Sequence, residues 1–180
     1  WTLSRGLGDV YKRQIIGVEA ADSAGLHASV KAGKRVKLKE VGLFADGAAA
    51  KQIGKNNYEL IKNFLDDSIT VDTDEICAAV KDTFLETRTV PEPTGALALA
   101  GLKKYISQKR IKNKNLIATY CGSNLNFESL GHIVERSKIG EKKEIILSIA
   151  IDEKKGSFRK LCNDIGLSLI HISEPTRQSP

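Results

Sequence analysis

The sequence predicts an α/β protein, a partial parallel sheet with helices on both faces. Three observations carry that expectation. Short apolar runs at residues 15–19, 68–71 and 115–120 have the length of buried strands. Segments of helical periodicity lie between and after them. Strand and helix therefore alternate from residue 15 to 137, the order of a parallel sheet with crossover helices.

Taken in order, Ile15–Glu19 is an apolar run ending in a carboxylate and reads as a buried strand. Asp22-Ser23-Ala24 is a helix-start signal, with Asp22 or Ser23 able to cap. A short helix follows over Ala24–Lys31, stopped by Ala32-Gly33. Residues 34–47 read mostly as loop, closing on Val41–Gly47, where two glycines flank an apolar centre. Ala48–Leu65 reads as helix interrupted near Gly54, with Tyr58, Ile61, Phe64 and Leu65 on its buried stripe. Ser68–Val71 is the next strand. Thr73 or Asp74 caps a helix running to about Thr87, with Ile76, Val80 and Phe84 buried.

Pro91-Glu92-Pro93 breaks the chain, and Thr94 opens a small-residue helix over Gly95–Ile106. Asn115–Tyr120 is a third buried strand that runs into a turn at Cys121–Asn124, and Phe127–Ser137 is a helix. The pattern then changes: Glu144–Ile151 alternates as a strand, and Gly156-Ser157-Phe158 opens a helix through Ile165. This strand–loop–helix is expected to begin a smaller domain, with the boundary near Gly140. The ends, residues 1–14 and 167–180, do not continue the neighbouring pattern. They resemble translated sequencing-adapter read-through and are expected to be non-native.

Composition narrows the function classes. Hydrophobic residues at 41% and charged residues at 28% match an ordinary globular domain. No run approaches the roughly 20 apolar residues of a membrane span. No apolar stretch near the start resembles a signal peptide, so a cytoplasmic place is expected. The net charge of +6 is spread among acids. Its one basic cluster, Lys103-Lys104 with Lys109-Arg110, Lys112 and Lys114, has only Tyr105 as an aromatic, which argues against nucleic-acid binding. Three cysteines at long, irregular spacing fit no zinc or redox motif, and Cys77 and Cys162 are expected in the core.

In open α/β sheets ligands bind beyond the carboxyl ends of the strands. That rule selects Glu19–Asp22, Asp72–Asp74 and Cys121–Asn124. The last is the most suggestive, with a thiol, a glycine, a hydroxyl and an amide together. A plain helix-capping turn is the other reading of those residues. The sequence has no glycine-rich phosphate loop, no GxSxG and no HExxH. His27 and His132 fall on expected helices and read as surface or packing residues.

Longer motifs carry more. Val18-Glu19 through Asp22-Ser23-Ala24, Val41–Gly47 (VGLFADG), Val71–Ala78 (VDTDEICA), Glu92–Gly101 (EPTGALALAG) and Cys121–Phe127 (CGSNLNF) stand in the order and spacing of the threonine deaminases. Glu135-Arg136, Gly140-Glu141 and Gly156–Lys160 follow suit, so the resemblance covers about residues 15–166. It implies a pyridoxal-phosphate enzyme of the tryptophan-synthase-β type that converts L-threonine to 2-oxobutanoate and ammonia for isoleucine synthesis. Residues 15–140 then resemble the C-terminal part of the catalytic domain. Residues 141–166 resemble the start of a regulatory, ACT-like domain.

The same resemblance implies that Cys121, Gly122, Gly47 and Glu92 lie at the pyridoxal 5'-phosphate site. The loop Phe44, Ala45 and Asp46 lies on the substrate side. Cys121 departs from the family's usual serine at the pyridine nitrogen, and a thiol is a weaker hydrogen-bonding group. Glu19 resembles a metal-site carboxylate of related serine racemases, and its place also fits a structural acid at a strand end. The full-length enzyme is expected to be a homo-tetramer inhibited by isoleucine, with no nucleic-acid or membrane partner. The family's Schiff-base lysine motif and phosphate loop lie upstream; none of the 28 lysines and arginines here stands in that motif. The polypeptide by itself is therefore expected to be inactive. Rival readings are a catabolic threonine or serine dehydratase, which lacks the regulatory domain, and a non-catalytic small-molecule-binding module built on residues 144–165.

Overall fold

The computed structural model describes residues 13–165. Most of both ends expected to be non-native therefore lies outside the described residues. Contacts divide the chain into a first unit through Ile145 and a second from Ile146.

In the first unit, strand β1 (Ile16–Ala20) pairs in parallel with β2 (Asp67–Val71), Ile16 opposite Asp67 and Ala20 opposite Val71. Between them lie helix α1 (Gly25–Ala32) and helix α2 (Lys55–Phe64). After β2 come α3 (Thr73–Thr87), α4 (Pro93–Lys109) and α5 (Ser129–Gly140). Successive side chains on a strand face opposite ways. Gly17 faces Leu26 of α1, and its register partner Ser68 meets His27 of the same helix at 2.7 Å. Val18 faces Gly101 of α4. So α1 and α4 cover opposite faces of the strand pair, and the α/β expectation holds.

The core lies between β2, α3, α4 and α5. Val71, Cys77, Ala79 and Ala96 are wholly buried there. Small residues make this possible. Gly101 lies so close to Val18 that a Cβ would collide with both of its methyls, so α4 sits directly on β1. Gly140 lies likewise against the Asp74 carbonyl, which seats the end of α5 on the start of α3. An ion pair, Arg136 Nε to Asp74 Oδ1 at 2.7 Å, spans the same contact.

Several expected details are corrected. Neither Asp22 nor Ser23 caps α1. The Glu19 carboxylate does so from the end of β1, accepting from Leu26 N at 2.9 Å and His27 N at 2.7 Å. The cap of α3 is Asp72, not Thr73 or Asp74. It forms a reciprocal box with Glu75: Glu75 N donates to Asp72 at 2.8 Å, and Asp72 N to Glu75 at 2.9 Å. The long helix over 48–65 shrinks to α2, because residues 49–54 carry no helix.

Phe84 is exposed, its ring under the Arg88 guanidinium at 5.7 Å. Cys162 is only partly buried, whereas Cys77 is in the core as expected. The strands expected at 115–120 and 144–151 do not form: these residues carry no regular secondary structure. Ile117 is 90% exposed and Ile145 77%. A strand needs a neighbour for its hydrogen-bond ladder, and apolar patterning supplies only the tendency.

In the second unit, a turn at 153–156 leads into helix α6 (Ser157–Ile165). Among the described residues no helix is long and apolar enough to cross a membrane.

Candidate functional site

Three segments distant in sequence meet at the N-terminus of α4. The first is the loop Val41–Gly47. Gly42 N donates to Asp22 O at 3.0 Å, which ties the loop to the end of β1. Gly42 has no room for a Cβ because the Asp22 carboxylate occupies that space. Ala45 is buried at 2% exposure, and Gly47 packs on Thr94, whose Oγ1 would lie 3.0 Å from a Cβ there. The Asp46 carboxylate turns back to accept from Gly47 N at 2.8 Å. Phe44 points inward to the core edge, its ring 5.9 Å from that of His132 on α5.

The second segment is the helix end itself. Pro93 occupies the first turn, where its missing N–H costs nothing. Glu92 stands at the cap position without bonding through its side chain, and its backbone N–H donates to Gly122 O at 3.2 Å. The third segment is the turn after 115–120. Gly122 has φ +76°, a left-handed conformation that favours glycine. The side that a Cβ would occupy is filled by the Glu92 carboxylate. The Cys121 and Gly122 carbonyls face Gly95, which is bare for that reason. Cys121 itself is exposed.

The structure thus brings Gly47, Glu92, Cys121 and Gly122 together around one helix end, with Ala45 and Asp46 in the adjoining loop. Phe44, in the same loop, packs at the core edge beside His132. Glu19 spends both carboxylate oxygens on the α1 cap. No group of three or more metal-ligating side chains occurs among the described residues. The Asp72–Asp74 segment is likewise occupied, with Asp72 capping α3 and Asp74 pairing with Arg136.

Sequence reasoning missed Thr94 as a member of the cluster. Its Oγ1 is buried with no hydrogen-bond partner among the described residues. An orphaned buried hydroxyl is costly, and a site that meets a polar ligand is one reason to keep it. Its place between Glu92 and Gly95 was the only signal. Sequence reasoning also missed Asp72, although Asp72–Glu75 carries the acid-x-x-Glu signature of a capping box.

An α/β chain whose ligand-type residues gather beyond the strand ends belongs to the class that binds small molecules at that edge of the sheet. The profile of the pyridoxal-phosphate dependent enzymes matches residues 2–122, and the chain belongs to that family. It is 50% identical over 153 residues to the L-threonine dehydratase biosynthetic IlvA of Escherichia coli K12, covering 85% of this chain and 30% of that protein. It is 48% identical over 154 residues to the mitochondrial threonine dehydratase of Schizosaccharomyces pombe, covering 84% of this chain and 26% of the relative. The processed form of threonine deaminase isoform 2 from Solanum lycopersicum superposes with a TM-score of 0.68 at 37% identity, covering 69% of this chain and 36% of that one. The chain therefore spans under a third of the length of these two curated relatives.

The chemistry of the residues present is compatible with a polar cofactor such as pyridoxal phosphate. An exposed thiol has a glycine turn beside it, and at the helix end stands a buried hydroxyl with no hydrogen-bond partner among the described residues.

Proposed function

We propose that this chain is the C-terminal part of the catalytic domain of a biosynthetic L-threonine ammonia-lyase. The whole protein converts L-threonine to 2-oxobutanoate and ammonia, the first step toward isoleucine. The observation that carries this is the 50% identity with the E. coli relative. An alignment of 153 residues within 180 necessarily includes residues 44–122, and so the whole cluster.

Pyridoxal 5'-phosphate, when bound, supplies the electron sink for losing the α-proton and the β-hydroxyl. Cys121 would hold the ring nitrogen of the bound cofactor, its thiol offering only a weak hydrogen bond. Gly122 and Glu92 set the angle of the turn. The loop through Ala45, Asp46 and Gly47 borders the substrate, and Thr94 offers the hydroxyl behind it. The water lost in the elimination is regained in hydrolysis, so threonine yields one keto acid and one ammonia.

Residues 141–166 are the start of the regulatory, ACT-like domain. What supports this is an apolar stretch over residues 145–151 followed by a turn and a helix. The full protein is a cytoplasmic homo-tetramer that isoleucine inhibits.

The test is to recover the gene by amplification outward from residues 15–166, express the full reading frame, and assay 2-oxobutanoate release from threonine. Cofactor-dependent release is expected from the full frame and none from the 180-residue chain. A full frame that purifies with pyridoxal phosphate but leaves threonine untouched would overturn the substrate. Release by the 180-residue chain alone would overturn its reading as a partial catalytic domain.

A further inference from the structure

Residues 115–120 lead directly into the Cys121–Gly122 turn, yet no sheet holds them among the described residues. With Ile117 90% exposed, side-chain packing does not fix the middle of the segment either. Hydrogen bonds flank the turn instead. On its far side, Glu92 N donates to Gly122 O at 3.2 Å. On its near side, the Tyr120 hydroxyl bonds to Thr83 Oγ1 on α3.

The direction of that second bond follows from proton counting. A threonine hydroxyl has one proton. Thr83 gives it to Ala79 O at 2.8 Å, one turn back in its own helix. Its oxygen therefore accepts from Tyr120, and the phenol is the donor. Partial burial raises the Tyr120 phenol above its usual range. Thr83 is 7% exposed, on a helix fixed by its capping box at one end and by α5 packed along it. The anchor is rigid, and Cys121 is the next residue along the chain.

We propose that Tyr120 is a positioning residue whose hydrogen bond to Thr83 sets where the Cys121 thiol and the Gly122 turn stand. The inference rests on the reading of that turn as the one facing the cofactor ring. Phenylalanine at 120 keeps the ring but removes the donor, and Thr83 remains satisfied by Ala79. The folded chain should lose little, while the turn loses its near-side tether.

The experiment uses the full-length holoenzyme, with cofactor dissociation followed by the absorbance of bound pyridoxal phosphate and unfolding of the apo form followed by circular dichroism. Tyr120→Phe is expected to weaken cofactor binding about fivefold, the size of one modest hydrogen bond. The apo melting midpoint should stay near wild type. Thr83→Val should give the same loss, Thr83→Ser should restore wild-type binding, and the double variant should be no worse than either single one. Wild-type cofactor affinity in Tyr120→Phe would overturn the proposal. So would losses in the double variant that simply multiply, because the two groups would then act separately. A wild-type full-length protein that binds no pyridoxal phosphate would overturn the functional reading itself, and the proposal with it.

Discussion

Replacing Gly95 by alanine tests whether the helix end and the Cys121–Gly122 turn form one site. Gly95 is the third residue of α4. A methyl group there would overlap the Cys121 carbonyl oxygen and lie 3.0 Å from both the Cys121 carbonyl carbon and the Gly122 oxygen. These are backbone atoms with no rotamer to yield. Carbon and oxygen without a bond rest on the order of 3.3–3.6 Å apart. The turn must therefore retreat by something on the order of 1 Å, and a misplacement of that size costs roughly a hundredfold in rate. Stability should respond far less. Overpacking costs about 1–3 kcal/mol, while alanine is better than glycine in a helix by about 1 kcal/mol, so the net loss is about 0–2 kcal/mol.

In the full-length protein, Gly95→Ala should lower kcat/KM in the proposed threonine reaction about a hundredfold while the melting midpoint falls only a few degrees. Gly131→Ala is the control. Gly131 lies on α5 with nothing within 4 Å of the added methyl, so the same chemical change there should stabilise by about 1 kcal/mol and leave activity unchanged. A Gly95→Ala enzyme with wild-type kcat/KM and cofactor affinity would refute the placement of the turn against α4.

Two other outcomes follow from the same geometry. Glu19→Ala strips the acceptor from two backbone N–H groups of α1 and should cost about 1–2 kcal/mol, read in a urea titration. Calcium or magnesium should not shift the wild-type midpoint; a shift that vanishes in Glu19→Ala would restore the metal-site reading. Burial, the largest cause, pushes the Cys77 thiol up from 9.0 to about 12. The folded chain then keeps a proton that the unfolded chain releases, so this contribution is intact below pH 9 and is lost as pH rises toward 12. Cys77→Ala should flatten the fall in stability over that window, and in the native protein a thiol reagent should label Cys121 well before Cys77. Labelling of Cys77 at native rates would show that its burial is wrong.

Much of the fold was legible because local chemistry decides it. The apolar runs at 15–19 and 68–71 became the parallel pair, since such short runs bury only as strands beneath helices. Gly33 ends α1 at φ +64°, and Pro93 opens α4, as residue type dictates. Cys121 and Gly122 were legible from the strand-end rule, but Gly47 and Glu92 only through family motifs. Nothing in their separate spacings says that positions 47, 92 and 121 meet at one helix end.

Other features depended on partners far away in sequence. Which acid caps α1 could not be read from Asp22 or Ser23, because the acceptor arrives from β1 and depends on how that strand abuts the helix. Residues 115–120 have the composition of a strand, but a ladder exists only when a neighbour stands 4.7–4.9 Å away, roughly the spacing of any sheet. The orphaned Thr94 hydroxyl and the Tyr120–Thr83 bond are of the same kind. The sequence by itself determined the first two strands and the helices around them, the breaks at glycine and proline, and the family. The tertiary structure alone decided which polar groups meet, because a hydrogen bond needs two atoms in one place and a chain records only their order.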